Sequence, residues 1–236
     1  SEDKVKYFLN SSGPSLSKRG YRKKIHKAAL NEALGAGLIL LSGWKPSQPF
    51  YDPMCGSGTI PIEAAMIGRN IPGGNYRKWF AFQGWKNFDP RLWNSVVRES
   101  RSKINNNKLY IYGSDNIGAN IAMSNQNARQ ILIHPHIQFS KKEFCDFHPD
   151  FPKGVIIMNP PYGERLGEQS ELEDLYELIG SVFKQNCVDS DAFIFSGNKE
   201  LTKRIGLKAK RNYILNNGKI DCRLIHYPIR DGNYVE

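Results

Sequence analysis

An α/β fold built on a mostly parallel sheet is the class this 236-residue sequence predicts, and three features predict it. Val155-Ile156-Ile157-Met158 is a short, apolar, largely β-branched run, the pattern of a strand buried on both faces of a parallel sheet. Asp52-Pro53-Met54-Cys55-Gly56-Ser57-Gly58-Thr59 is a glycine turn leading out of a candidate strand into a helix. Beyond it, strand and helix patterns alternate to the end of the chain, where a hairpin-like pair supplies an antiparallel finish.

Taken in order, Lys4 to Asn10 reads as a strand, with nothing immediately upstream to pair with it. Lys27 to Leu41 carries Ala28, Leu30, Ala33, Leu34, Leu38 and Leu41, the apolar stripe of a helix. Gln48 to Asp52 is the first strand of the alternating region, followed by the glycine turn and its helix, whose first turn tolerates Pro61. Between Ile71 and Trp93 the chain is irregular and aromatic, with Trp79, Phe80, Phe82, Trp85, Phe88 and Trp93. Two readings compete there: a stacking surface for unpaired bases, or a lid packed on the sheet. Packing is preferred, because most such aromatics are buried. Arg91 to Asn105 is a helix, Leu109 to Gly113 a second strand, and Ile117 to Gln130 a helix. His136 to Ser140 is a third strand and Val155 to Met158 the fourth. Helix Leu172 to Asn186, strand Ala192 to Ser196 and helix Lys199 to Ile205 follow. Lys210 to Leu215 and Lys219 to Tyr227 form the closing pair around Asn216-Asn217-Gly218.

The chemistry is expected where the fourth strand ends, at Asn159-Pro160-Pro161-Tyr162. Proline has no N–H to donate, so the ladder stops at Pro160. The stiff proline pair aims the Asn159 side chain and the Pro160 carbonyl beyond the carboxyl edge of the sheet, where open α/β sheets bind ligands. Those two acceptors suit the two hydrogens of an exocyclic amine, and Tyr162 offers a flat face for the attached ring. The amine of a nucleobase is a poor nucleophile because its lone pair is delocalised. Two acceptors favour a pyramidal nitrogen, aim its lone pair and stabilise the positive charge that develops, so no general base is required. The bland alternative is a proline turn with a packed tyrosine.

Three further features would surround a nucleoside-like ligand. Gly56 and Gly58 permit close backbone approach, and Ser57 and Thr59 lie at the mouth of a helix N-terminus. Pro61 stands where a dinucleotide fingerprint wants its third glycine, which argues against a nicotinamide cofactor. Ser114-Asp115-Asn116 ends the second strand, so Asp115 is suitably placed for the hydroxyls of a ribose; equally, Asp115 or Asn116 can cap the next helix. Asp146 is available to accept from an adenine amine and Phe147 to flank the ring, although such an aspartate is commonly a plain loop residue.

Lys and Arg total 33 against 23 Asp and Glu, a net charge of +10 that favours a polyanionic partner. One cluster, Lys18-Arg19-Gly20-Tyr21-Arg22-Lys23-Lys24-Ile25-His26-Lys27, reads as a phosphate-backbone footprint or an ordinary solvated face; Lys203, Arg204, Lys208, Lys210 and Arg211 form a second. Cys55, Cys145, Cys187 and Cys222 have neither a Cys-x-x-Cys pair nor nearby histidines at ligand spacing, so reduced thiols, a reducing compartment and no metal are expected. No apolar run is long enough to span a bilayer and no signal core opens the chain, so a cytoplasmic location without a membrane partner is expected.

Together, Asp52 to Thr59, Gly113-Ser114-Asp115, Asp146 and Asn159-Pro160-Pro161-Tyr162-Gly163-Glu164-Arg165-Leu166 occur in an order that resembles the Rossmann-like class I S-adenosylmethionine-dependent methyltransferases. With Lys18-Arg19-Gly20-Tyr21-Arg22 upstream and Asn217-Gly218-x-x-Asp221-Cys222 downstream, the chain looks like the catalytic domain of the bacterial 23S ribosomal RNA guanine-N2 methyltransferases. The resemblance runs from about Ser11 to Tyr227. It implies a seven-stranded sheet with an antiparallel last strand and helices on both faces. It also implies S-adenosylmethionine contacts from Asp52, Pro53, Cys55, Gly56, Ser57, Gly58, Thr59, Asp115, Asn116, Asp146, Phe147 and Asn159. Methylation would occur at Asn159 to Tyr162, with ribosomal RNA as the partner and Arg19, Tyr21, Arg22, Lys23 and Arg165 as RNA contacts. Family members usually carry an RNA-binding THUMP domain first, so residues 1–17 are expected to be a linker or its remnant and residues 18–236 the methyltransferase domain. The same tetrapeptide is shared with adenine-N6 methylases, and a non-catalytic RNA-binding protein on this fold is the rival of another class.

Overall fold

The computed structural model describes residues 5–22, 30–163 and 169–232. At its centre is a seven-stranded sheet in the order β3-β2-β1-β4-β5-β7-β6. Its strands are β1 (Phe50–Asp52), β2 (Ile111–Asp115), β3 (Ile137–Lys141), β4 (Val155–Met158), β5 (Asp191–Ser196), β6 (Arg211–Asn217) and β7 (Ile220–Pro228). The first five are parallel. Strand β7 slots between β5 and β6 and runs antiparallel to both, so it alone is reversed. The helices are α1 (Glu32–Ser42), α2 (Thr59–Gly68), α3 (Pro90–Ser102), α4 (Gly118–Gln130), α5 (Gln169–Asn186) and α6 (Lys199–Lys203).

Strict alternation along the central strands splits the core between two faces. Phe50, Val155, Ile157, Phe193 and Leu224 join Leu38 and Ile39 of α1 and Ile62 and Met66 of α2 on one side. Tyr51, Ile156, Met158, Ile194 and Ile225 join Tyr176, Ile179 and Phe183 of α5 on the other. That two-sided burial is why β4 is apolar at every position. Helix starts follow local chemistry: the side chains of Asn31, Asp89 and Asn198 accept from the first backbone N–H groups of α1, α3 and α6.

The expected strand at Lys4 to Asn10 does not form over its described residues, 5–10; Tyr7, Phe8 and Leu9 are exposed and no ladder reaches them. A strand needs a paired neighbour to satisfy its backbone, and none is offered. The expected helix from Lys27 begins at Glu32 over the described residues, and Lys27 to Ala29 lie outside them. The aromatic stretch forms no lid on the sheet. Instead, Phe80, Phe82, Phe88 and Trp93 pack on one another, with Phe82 and Trp93 centroids 5.2 Å apart, beside an α3 that buries no residue. No helix among the described residues is long and apolar enough to cross a membrane.

Candidate active site

The sheet order reverses between β1 and β4: β2 and β3 lie to one side of β1, and β5, β7 and β6 to the other side of β4. Such a reversal opens a crevice at the carboxyl ends of the strands. Asp52 ends β1, Asp115 ends β2, and Asn159 follows β4 directly, so three sequence-distant motifs share one edge.

The glycine loop is held both by its own tight turn and by its neighbours. Cys55 N donates to the Ser114 carbonyl at 2.9 Å, and Gly58 N closes a tight turn onto the Cys55 carbonyl at 2.8 Å. From α4, the Ser124 hydroxyl donates to the Gly56 carbonyl at 2.7 Å and Asn127 Nδ2 to the Ser57 carbonyl at 3.0 Å. Gly58 has a φ of +78°, and a Cβ there would lie 2.9 Å from Ser124 Cβ. Only glycine combines that backbone with that closeness. A Cβ on Gly56, by contrast, would meet nothing within 4 Å, so the loop backbone is bare on its open side.

Asp115 organises this loop. Its Oδ2 accepts from Gly56 N at 2.9 Å, and its Oδ1 accepts from Ile117 N and Asn120 Nδ2, both at 2.9 Å. A carboxylate has about four acceptor positions, so one remains open beside Gly56. The residue works from the strand end rather than as the N-cap of α4, a position held by Ile117. Asn116 is exposed and reaches Glu143 at 3.3 Å. Asp52 is buried and accepts from Met54 N at 3.3 Å. Burial, with Asp115 nearby, pushes its carboxyl well above the usual range; burial likewise raises the Cys55 thiol, with Asp52 and Asp115 adding to the effect. A cationic ligand beside these carboxyl groups would favour their ionised form and so offset the cost of their burial.

At the end of β4, Asn159 Oδ1 is buried and has no hydrogen-bond partner among the described residues. Beside it Pro160 is buried and Pro161 exposed. The half-buried ring of Tyr162 lies over Gly197, where a Cβ would come within 3.0 Å of it. The Tyr162 hydroxyl accepts from Asn217 Nδ2 at 3.0 Å and from the Cys222 thiol at 3.8 Å. Burial raises this phenol, so the hydroxyl stays protonated and the ring is pinned at its far end.

Several expected contacts stand elsewhere. Phe147 is buried against Tyr51, with centroids 5.9 Å apart, and is not displayed to a ligand ring. The short 3₁₀ turn Phe144–Asp146 explains this: three residues per turn set Phe144 and Phe147 on the same inward side, leaving Asp146 exposed. Tyr21 is buried and donates to Glu63 at 3.1 Å, so its ring is no RNA platform. Arg19 pairs with Glu63 at 3.4 Å, and Arg22 pairs with Glu32 at 3.7 Å and donates to Thr59 Oγ1 and the Leu30 carbonyl. These two charges brace the chain against α1 and α2 instead of facing a phosphate backbone. Lys23 and Arg165, with Glu164 and Leu166, lie outside the described residues.

Sequence reasoning missed the supports: Ser124 and Asn127, one helical turn apart, and Gly197 and Cys222. Asn217 and Cys222 belong to a motif whose role was not visible until β6 and β7 carried it under Tyr162. Among the described residues no group of three or more His, Cys, Asp or Glu side chains is gathered as a metal-ligand set.

The model of the RMKL-like methyltransferase domain matches residues 19–226, most of the chain and all of the described strands and helices but the last two residues of β7. The chain belongs to this family. Among related proteins, slr0064 of Synechocystis sp., which carries a provisional RNA methyltransferase name, is 40% identical over 222 residues. That match covers 94% of this chain and 58% of the relative. The ribosomal RNA large subunit methyltransferase K/L of Vibrio cholerae is 38% identical over 235 residues, covering 96% of this chain and 33% of its own length. The RMKL-like domain thus spans between a third and three-fifths of these relatives. Among solved structures, SMU.472, provisionally named a methyltransferase and complexed with SAH, superposes with a TM-score of 0.87 at 36% identity. It covers 93% of this chain and 57% of the other.

Proposed function

We propose that the chain is the catalytic domain of an RNA methyltransferase that moves a methyl group from S-adenosylmethionine to the exocyclic N2 amine of a guanine in large-subunit ribosomal RNA. The observation that carries this reading is the buried, unpartnered Oδ1 of Asn159 beside the pinned ring of Tyr162. An acceptor left without a partner in a protein interior costs free energy, and a substrate amine would repay it.

The donor set fits S-adenosylmethionine. The bare backbone at Gly56 and the open acceptor position on Asp115 suit a ribose, and the Asp52 and Asp115 carboxyl groups suit a ligand that brings positive charge. When bound, that cofactor supplies an electrophilic methyl group on a sulfonium. Asp146, exposed after β3, is available to the adenine amine. Asn159 Oδ1 and the Pro160 carbonyl accept the two amine hydrogens, orient the nitrogen lone pair and stabilise its growing positive charge. Tyr162 holds the base plane by stacking. A target base inside a helix must be extruded first. The ribosomal substrate is supported by the name of the Vibrio cholerae relative; guanine is chosen over adenine, which presents an equivalent amine, on the motif resemblance alone.

The test is incubation with isotopically labelled S-adenosylmethionine and, separately, unmodified ribosomal RNA, transfer RNA and DNA, followed by nucleoside digestion and mass spectrometry. N2-methylguanosine in ribosomal RNA is expected. N6-methyladenine would overturn the base assignment, and a methyl group on ribose or on a ring carbon would overturn the amine mechanism.

A further inference from the structure

The aromatic excursion between α2 and β2 is absorbed neither by the core nor by the active site. Residues 72–103 hold seven Lys or Arg against two Asp or Glu, half of the chain's net charge of +10 in a small part of its length. Four of these cations, Lys78, Lys86, Arg91 and Arg98, are exposed and have no side-chain hydrogen bond or ion pair among the described residues. Aromatic surface is interleaved with them: Trp79 is 51% exposed and Trp85 38%. Between this loop and α3 lies a cavity of about 220 Å³, lined by the apolar Phe80, Trp93, Val96 and Val97 and by the polar Asn75 and Arg101 among others.

We infer that residues 72–103 are a docking platform for a single-stranded stretch of the RNA substrate, taking an unpaired base in the Phe80–Trp93 cavity and the flanking phosphates on Lys78, Arg91 and Arg98. The inference rests on the RNA reading proposed above and adds a second contact surface to it. Charge decides the occupant. A protein partner gains little from four solvated cations, whereas a phosphate chain releases counterions at each, and base–aromatic stacking tolerates any sequence.

Position decides the consequence. The excursion leaves the end of α2 and returns at the start of β2, and Tyr76 fastens it to the Ile131 carbonyl past the end of α4 at 2.9 Å. It therefore lies toward the amino edge of the sheet, a full helix of ten residues, or about 15 Å, from the loop that opens α2. A contact so far from the target base binds ground state and transition state alike. Its loss raises KM and leaves kcat alone.

The experiment compares the full chain with Val96→Glu, which puts a charge into the cavity, and with Lys78→Gln/Arg98→Gln. None of these positions is buried, and thermal melts establish that the variants stay folded. Affinity for an unstructured RNA oligonucleotide and for ribosomal RNA is read by fluorescence anisotropy across a salt series, SAH affinity by calorimetry, and methylation as kcat and KM. The expected result is RNA binding weakened about tenfold or more in both variants, with unchanged kcat and SAH affinity. For the double variant the salt slope should fall by one to two. Unchanged RNA affinity and slope would overturn the platform and assign this face to a protein partner. A wild-type chain that binds no RNA would also overturn it. A wild-type chain that binds RNA but methylates none would overturn the proposed reaction alone, since the binding series still judges the platform.

Discussion

Asn217 Nδ2 donates a hydrogen bond to the Tyr162 hydroxyl at 3.0 Å, across 55 residues of sequence. The hairpin of β6 and β7 thereby reaches under the end of β4 and holds the ring proposed to stack on the substrate base. Asn217→Ala removes the donor while leaving Cys222 in place. Methyl transfer is expected to slow about tenfold, in line with the net worth of one hydrogen bond, with SAH affinity unchanged. Gly197→Ala should give a similar kinetic signature, because its Cβ would press on the Tyr162 ring at 3.0 Å as well as on Ile220 Cγ2 at 2.9 Å. Single-turnover rates check both; a wild-type rate in Asn217→Ala would free Tyr162 of any need for anchoring.

Asn159→Ala takes away the acceptor that no protein group satisfies. The rate should fall by roughly 10²–10³, the scale for removing one preorganised polar group from a reaction centre. SAH binding, measured by calorimetry, should weaken by about tenfold at most, since a single neutral hydrogen bond is worth about 0.5–1.5 kcal/mol.

Gly58→Ala tests the loop. The substitution meets both a left-handed backbone and a contact of 2.9 Å with Ser124, so the turn must shift and carry Gly56 with it. The strain of about 1–2 kcal/mol should appear as SAH affinity at least tenfold weaker, whereas RNA affinity is unaffected.

Glu63 makes stability depend on pH. Burial raises its carboxyl to about 7 from the ordinary 4.5, although Arg19 and Tyr21 pull the other way. Between those values the folded chain holds a proton that the unfolded chain has lost, so this group's contribution is fully present below pH 4.5 and is lost as pH rises through 7. The loss is about 3 kcal/mol. Glu63→Gln should accordingly be more stable relative to wild type at pH 8 than at pH 5, as read from urea midpoints; equal differences at both pH values would refute the assignment.

Arg22→Ala strands the buried carboxylate of Glu32 and removes the donor to Thr59 and to the Leu30 carbonyl. A loss of roughly 3 kcal/mol is expected. The salt slope of RNA binding should not move, which separates this residue from the exposed cations of the α3 platform.

The architecture was readable in the sequence because it is written in local chemistry. The four apolar residues of β4, the proline that ends it, the glycines opening α2 and the turn at Gly218 each admit few conformations, and the observed strands fall within about two residues of their expected bounds. Asp52, Asp115 and Asn159 could also be named as site candidates from sequence, since the first two end strands and the third directly follows one. What only the tertiary structure decided is which side chains face which space. Tyr21, Arg19 and Arg22 look like a basic surface until Glu63 and Glu32, on separate helices, are brought against them. Phe147 looks like a ligand contact until a 3₁₀ turn faces it inward, and Asn217 looks like a hairpin residue until antiparallel pairing delivers it to Tyr162. Periodicity and turn chemistry act over a few residues and fix the elements, whereas burial, charge pairing and ring anchoring arise between elements and exist only once the sheet has assembled.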